Sequence, residues 1–147
     1  MAENIGKTGE DIACFFLKNL KYQIITRNYQ KPWGEIDIIS KDAKGTLVFV
    51  EVKTLKYQKE ITIRQVKTGK FAGLNPEDNL TKMKLGKLKR TCQEFANRNP
   101  QLINNQIGWR IDLITIALLN QQEIDGREVQ LTNIKNNCII KHYLNLF

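Results

Sequence analysis

Apolar residues recur three and four positions apart near the start of the chain, at Ile12, Ala13, Phe16, Leu17 and Leu20. That period puts them on one face of a helix over residues 8–20. Thr8 or Gly9 is placed to start it, with Glu10 and Asp11 in the first turn, where the helix dipole favours acids and a carboxylate can reach past the helix end. The pattern then shifts to β-prone runs at residues 22–27, 34–40 and 46–54. The last of these is apolar on both faces at its start, which predicts a central, buried strand. The polar turn at 41–45 predicts a hairpin between the last two.

Residues 55–81 read as a loop punctuated by Gly69, Gly73 and Pro76, with room for a short strand at 61–63. Leu85, Leu88, Cys92, Phe95 and Ala96 restore the helical period over residues 82–97. Gly86 weakens that helix slightly and Asn99-Pro100 ends it. A strand at 107–117 follows, then a turn at Asp125-Gly126, a weaker strand at 128–134 and a short apolar tail. No repeat or interdomain linker interrupts this order, so residues 1–147 read as a single domain. The class is α/β, a mixed sheet flanked by helices.

Composition narrows the picture. With 26% charged and 41% hydrophobic residues the chain is globular. No apolar run reaches membrane-spanning length, and Met1-Ala2-Glu3-Asn4-Ile5 lacks the layout of a signal peptide. Cys14, Cys92 and Cys138 are odd in number and widely spaced, which argues against zinc or disulfide frameworks and for a reducing cytoplasm.

The net charge of +8 is concentrated. Residues 53–98 carry twelve Lys/Arg and four acids, so this stretch holds the whole excess and the rest of the chain is neutral. Lys82, Lys84, Lys87, Lys89 and Arg90 surround the apolar stripe of the second helix. A concentrated basic stretch suits a polyanion, of which nucleic acid is the commonest, although a Lys-rich solvated face has the same composition.

The chemistry rests on acids set among apolar strand residues. Glu51 and Lys53 are two apart and share a strand face, and the hairpin can bring Asp37 beside Glu51. Two adjacent carboxylates repel unless a cation lies between them, and hard oxygen donors select Mg²⁺ or Mn²⁺. Such an ion lowers the pKa of water and neutralises charge on a scissile phosphate, and a neighbouring lysine stabilises the transition state. A Glu-x-Lys triplet is more often a solvated charge pair. Here Val48, Phe49, Val50 and Val52 argue for burial, and buried charges need partners.

At these residues the chain resembles the YraN-like family of predicted bacterial endonucleases, a branch of the PD-(D/E)xK nuclease superfamily similar to archaeal Holliday junction resolvases. The matching stretches are Gly9-Glu10-Asp11-Ile12-Ala13, Arg27-Asn28, Gly34-Glu35-Ile36-Asp37-Ile38-Ile39, Phe49-Val50-Glu51-Val52-Lys53-Thr54 and Arg110-Ile111-Asp112. The resemblance implies a restriction-endonuclease-like core and a metal-dependent DNA endonuclease, with branched or junction DNA among its substrates. Asp37 and Glu51 would hold the metal, Lys53 would be the catalytic lysine, and Glu10 would complete the acidic cluster. Junction cutters need paired sites, which implies a homodimer. The chain departs from the family pattern at Leu55, at Ile111 and in a long basic stretch at 55–79. The rival reading is a non-catalytic nucleic-acid-binding module that keeps the nuclease fold. A third is an adaptor whose basic helix meets an acidic protein.

Lesser signals have structural readings beside functional ones. Asp112 and Arg110 suit an ion pair, and Glu35 suits an outer ligand or a solvated edge charge. Trp33 and Trp109 suit strand packing or base stacking. Cys14 and Cys92 suit the core, and His142, the only histidine, suits the surface.

Overall fold

The computed structural model describes residues 5–56, 82–118 and 138–146. The expected strand at 61–63, the turn at Asp125-Gly126 and the strand at 128–134 lie outside these residues. Helix α1 (Ile5–Asn19) is followed by strands β1 (Gln23–Lys31), β2 (Gly34–Lys41) and β3 (Leu47–Lys56), helix α2 (Lys82–Arg98), and strands β4 (Trp109–Leu118) and β5 (Cys138–Tyr143). The strands lie side by side in chain order. Among the described strands, only β3 and β4 run parallel; the other neighbours are antiparallel. The result is the α/β class expected, a mixed sheet with one helix on each face, an arrangement consistent with a nuclease-like core.

α1 buries Ile12, Ala13 and Leu17 against Ile38, Val48, Val50, Ile114 and Ile116. α2 buries Leu88, Cys92, Phe95 and Ala96 against Ile36, Ile39, Leu47, Phe49 and Ile111. Both faces of β3 are therefore covered, which is why its first residues are continuously apolar. Trp109 packs edge-on to Phe49, with centroids 5.3 Å apart, so it serves the core. In the β2–β3 turn the Asp42 carboxylate accepts the backbone N–H groups of Lys44 and Thr46, both at 2.9 Å, and Gly45 takes a φ of +87°. An Asx-type turn with glycine at the left-handed position fixes the hairpin register.

Two expectations need correction. α1 starts at Ile5 rather than at Thr8 or Gly9, so Glu10 and Asp11 sit beyond the first turn. Gly9 serves contact rather than initiation: a Cβ there would overlap Thr54 Oγ1 on β3. Gly9→Ala should thus lose about 1–3 kcal/mol to overpacking, although alanine is the better helix former. A urea melt of the two proteins checks this. The second correction concerns the apolar tail, which forms β5 and pairs with β4 from Leu113/Tyr143 to Leu118/Cys138. Its neighbour in the sheet, not its own periodicity, makes it a strand.

Candidate active site

β2 and β3 pair from Lys41/Leu47 to Ile38/Val50, and the register ends there. The Asp37 carboxylate then accepts the Val52 N–H at 2.8 Å, in place of a strand partner. β3 stays in register with β4 past this point, through Lys56/Leu118. The gap between β2 and β3 is thereby held open on the side where Glu51 and Lys53 project.

Glu51 and Lys53 alternate with Val50 and Val52 and share the face of Phe49, which looks toward α2. Lys53 Nζ lies 3.4 Å from Glu51 Oε1. Burial raises the Asp37 carboxyl above its ordinary value, with the Glu35 charge adding to it, against hydrogen bonds from Val52 N–H and Glu51 and the charge of Lys53. Burial, then the Asp37 charge, pushes Glu51 up to about 7. Both carboxyls are thus shifted upward, each by burial first. This is the behaviour of two carboxylates that cannot both ionise without a counter-charge.

The shift has a sign. The ordinary glutamate value is 4.5, and in the fold it is about 7. Holding the proton stabilises the native state fully below the lower value, and that contribution is lost as pH rises through the upper one. Glu51→Gln stays neutral, so it should be more stable than the parent at about pH 8, by on the order of 1–3 kcal/mol, with the gap closing toward about pH 5. Urea denaturation at the two pH values, in chelator, checks this.

A cavity of about 250 Å³ lies beside Glu51, lined by Gly34, Glu35, Glu51, Lys53, Lys84, Lys87 and Leu88, with Asp37 outside the lining. Lys84, Lys87 and Leu88 share one face of α2, being three and four residues apart. Of the five α2 cations singled out in the sequence, Lys84 and Lys87 line this cavity, while Lys82, Lys89 and Arg90 do not. All five are exposed. Glu35 is exposed too and lies on the cavity wall.

Glu10 lies elsewhere. Its carboxylate is 3.7 Å from Arg27 Nη2, and the same guanidinium pairs with Asp11 at 2.7 Å. It borders a second cavity, of about 410 Å³, with Gly6, Lys7, Arg27 and Asn28. Burial, then the charge of Asp37, raises the Glu10 carboxyl, so Asp37 is felt by both Glu10 and Glu51. Among the described residues, however, no three His, Cys, Asp or Glu side chains converge as a ready metal-ligand group. Arg27 is the residue that sequence periodicity missed. Its only signal was the Arg27-Asn28 step among the family-like stretches.

The remaining polar cluster is structural. Fully buried Asp112 accepts hydrogen bonds from Arg110 Nε at 3.0 Å, His142 Nε2 at 2.8 Å and Asn145 N–H at 2.9 Å. Arg110 also reaches Asp42 at 2.8 Å and the Tyr22 hydroxyl at 2.9 Å. The expectation of a surface histidine is therefore wrong: His142 lies edge-on to Phe16 and Tyr22, with its side chain 11% exposed. Pairing of β5 with β4 draws it inward.

Fold and site together define an α/β protein with a half-buried carboxylate pair and a lysine where two strands part, facing a lysine-bearing helix. Residues 9–116 match the uncharacterised protein family UPF0102, and the chain belongs to that family. This is the family to which the YraN-like resemblance pointed. A UPF0102 protein of Desulforamulus reducens is 31% identical over 132 residues, 90% of this chain and 93% of the relative. One from Clostridium botulinum strain Loch Maree is 35% identical over 116 residues, 79% and 81% of the two chains. One from Caldicellulosiruptor saccharolyticus is 34% identical over 120 residues, 82% and 87%. No helix among the described residues is long and apolar enough to cross a membrane.

Proposed function

We propose that this protein is a metal-dependent DNA endonuclease of the PD-(D/E)xK type. The observation that supports it most is the Asp37–Glu51 pair. The pair is half-buried, and its Glu51 member lies beside Lys53 on the wall of a cavity that Lys84 and Lys87 also line. The donor set fits a hard divalent cation, since two carboxylate oxygens that otherwise need a proton between them gain a better counter-charge from Mg²⁺ or Mn²⁺. Such an ion supplies an activated water and neutralises phosphate charge. Asp37 and Glu51 are its holders in this reading, and Glu10 joins them only by leaving Arg27. Lys53 orients the attacking water and stabilises the negative charge that builds on the phosphate. Lys84 and Lys87 hold the phosphate over the pair, and Lys82, Lys89 and Arg90 hold the backbone farther out.

A homodimer is the assembly proposed for cutting paired strands, with branched or junction DNA among the substrates. Three buried free thiols suit a cytoplasmic protein. The engagement of Glu10 by Arg27 favours one alternative, a nucleic-acid-binding module that has kept the fold without the catalysis.

Two measurements test the reading. A panel of junction, flap, linear and plasmid DNA is incubated with Mg²⁺ or Mn²⁺, and at least one member should be cut. Calorimetric titration of Mn²⁺ should show binding to the parent and about 100-fold weaker binding to Asp37→Asn. Salt-dependent DNA binding that survives loss of Asp37, Glu51 and Lys53, with no metal uptake and no cleavage, establishes the binding module instead.

A further inference from the structure

The β1–β2 hairpin ends in a two-residue tip, Pro32-Trp33, closed by the Lys31/Gly34 pair. The Trp33 residue is 44% exposed, whereas the other tryptophan is packed on Phe49. Exposing so large an apolar ring forgoes the stabilisation that burial gives it. The tip is also held rigidly. Proline fixes one backbone angle beside the indole. On its other side, Gly34 lies so close to α2 that a Cβ would overlap Thr91 Oγ1. Thr91 is buried and donates its hydroxyl to the Lys87 carbonyl at 2.8 Å. The hairpin tip is thus locked to the turn of α2 that bears Lys87.

The next two residues after Trp33, Gly34 and Glu35, form part of the cavity wall over Glu51 and Lys53. The Trp33 Cα is one peptide unit, about 3.8 Å, from that of Gly34. An exposed indole one residue along the chain from a cavity that two lysines also line matches two parts of one ligand. The lysines suit a phosphate, and the indole suits the face of a nucleobase. A base inside a duplex has both faces covered by its neighbours, so only an unpaired base can stack on a side chain.

Resting on the nucleic-acid reading given above, we propose that Trp33 is a stacking platform for an unpaired base next to the phosphate held at Lys84 and Lys87. The preferred ligand is then a strand with an unpaired nucleotide at the site rather than continuous duplex.

The test uses the full chain in chelator, so that no hydrolysis occurs, with labelled oligothymidylate and a duplex of equal length as probes. Anisotropy gives both affinities, and indole emission is followed during titration with unlabelled strand. Trp33→Ala should weaken single-strand binding about tenfold and leave duplex binding unchanged. Trp33→Phe should recover much of the loss, and quenching of indole emission should appear in the parent and vanish in Trp33→Ala. Trp109 emission in the variant reports that the core is intact. Equal losses for both probes, or unaltered single-strand binding in Trp33→Ala, overturns the stacking role while nucleic-acid binding stands. Failure of the parent to bind either probe overturns the nucleic-acid reading and this inference with it.

Discussion

On the endonuclease reading proposed above, Lys53→Ala should cut its best DNA substrate about 10²–10³ times more slowly than the parent while folding as well. The two halves of that statement come from one geometry. Lys53 sits 3.4 Å from Glu51, and its charge lowers the Glu51 carboxyl from where burial and Asp37 place it. Removing the ammonium takes away the charge that lowers the Glu51 carboxyl, so Glu51 takes up a proton more readily and little stability is lost. The proposed reaction would lose a positive charge beside the place where phosphate charge develops, and a transition-state donor in a water-poor site is worth several kcal/mol, about 3–4. Single-turnover cleavage together with a urea melt separates the two quantities. Cleavage by Lys53→Ala at the parental rate, with the fold intact, would falsify the assigned role. Lys53→Arg keeps charge but not the compact ammonium, and should recover only part of the rate.

The largest loss of stability should come from Asp112→Ala, at about 3–5 kcal/mol. Asp112 is fully buried and accepts from Arg110, His142 and the Asn145 backbone. Burial alone would raise its carboxyl. The bonds from His142, Asn145 and Arg110 outweigh that and hold it below its ordinary value of 3.8. The stabilisation is therefore present above about pH 4 and disappears as pH falls through the depressed value. Alanine leaves the His142 ring nitrogen, the Asn145 N–H and one bond of Arg110 without their acceptor, while Arg110 keeps Asp42 and Tyr22. The damage should centre on β5, which among the described residues joins the sheet only through β4. Hydrogen exchange should show Cys138–Tyr143 losing protection first. Asp112 and Val50 are in register and share the α1 side of the sheet with Ile114, whereas Glu51 and Lys53 face α2. Cleavage per folded molecule should accordingly stay near the parental value.

Much of the site was open to a reader of the sequence because strand alternation is a local rule. Once residues 46–54 read as a strand, Glu51 and Lys53 must share a face. The polar turn at 41–45 then brings Asp37 to their side of the hairpin. The α2 cations were legible as a group for the same reason, since helical period separates them from Leu88, Cys92 and Phe95. Their division was not legible. Whether Lys84 and Lys87 or Lys89 and Arg90 face the carboxylates depends on how α2 rolls against β2 and β3. That roll is set by Leu88 and Phe95 on one side and by the Gly34–Thr91 approach at the hairpin tip.

Among the described residues, local periodicity sufficed for both α-helices, four of the five strands, the β2–β3 hairpin and the shared face of Glu51 and Lys53. Each of these needs only neighbours within one element or one turn. Long-range contacts decided the rest: the pairing of β5 on β4, the burial of His142 on Asp112, the ion pairs that hold Glu10 and Asp11 on Arg27, and the opening where Asp37 takes the Val52 N–H. Those partners are far apart in sequence. Their bonds exist only once packing has brought the strands and helices together, and no pattern within a single segment encodes them.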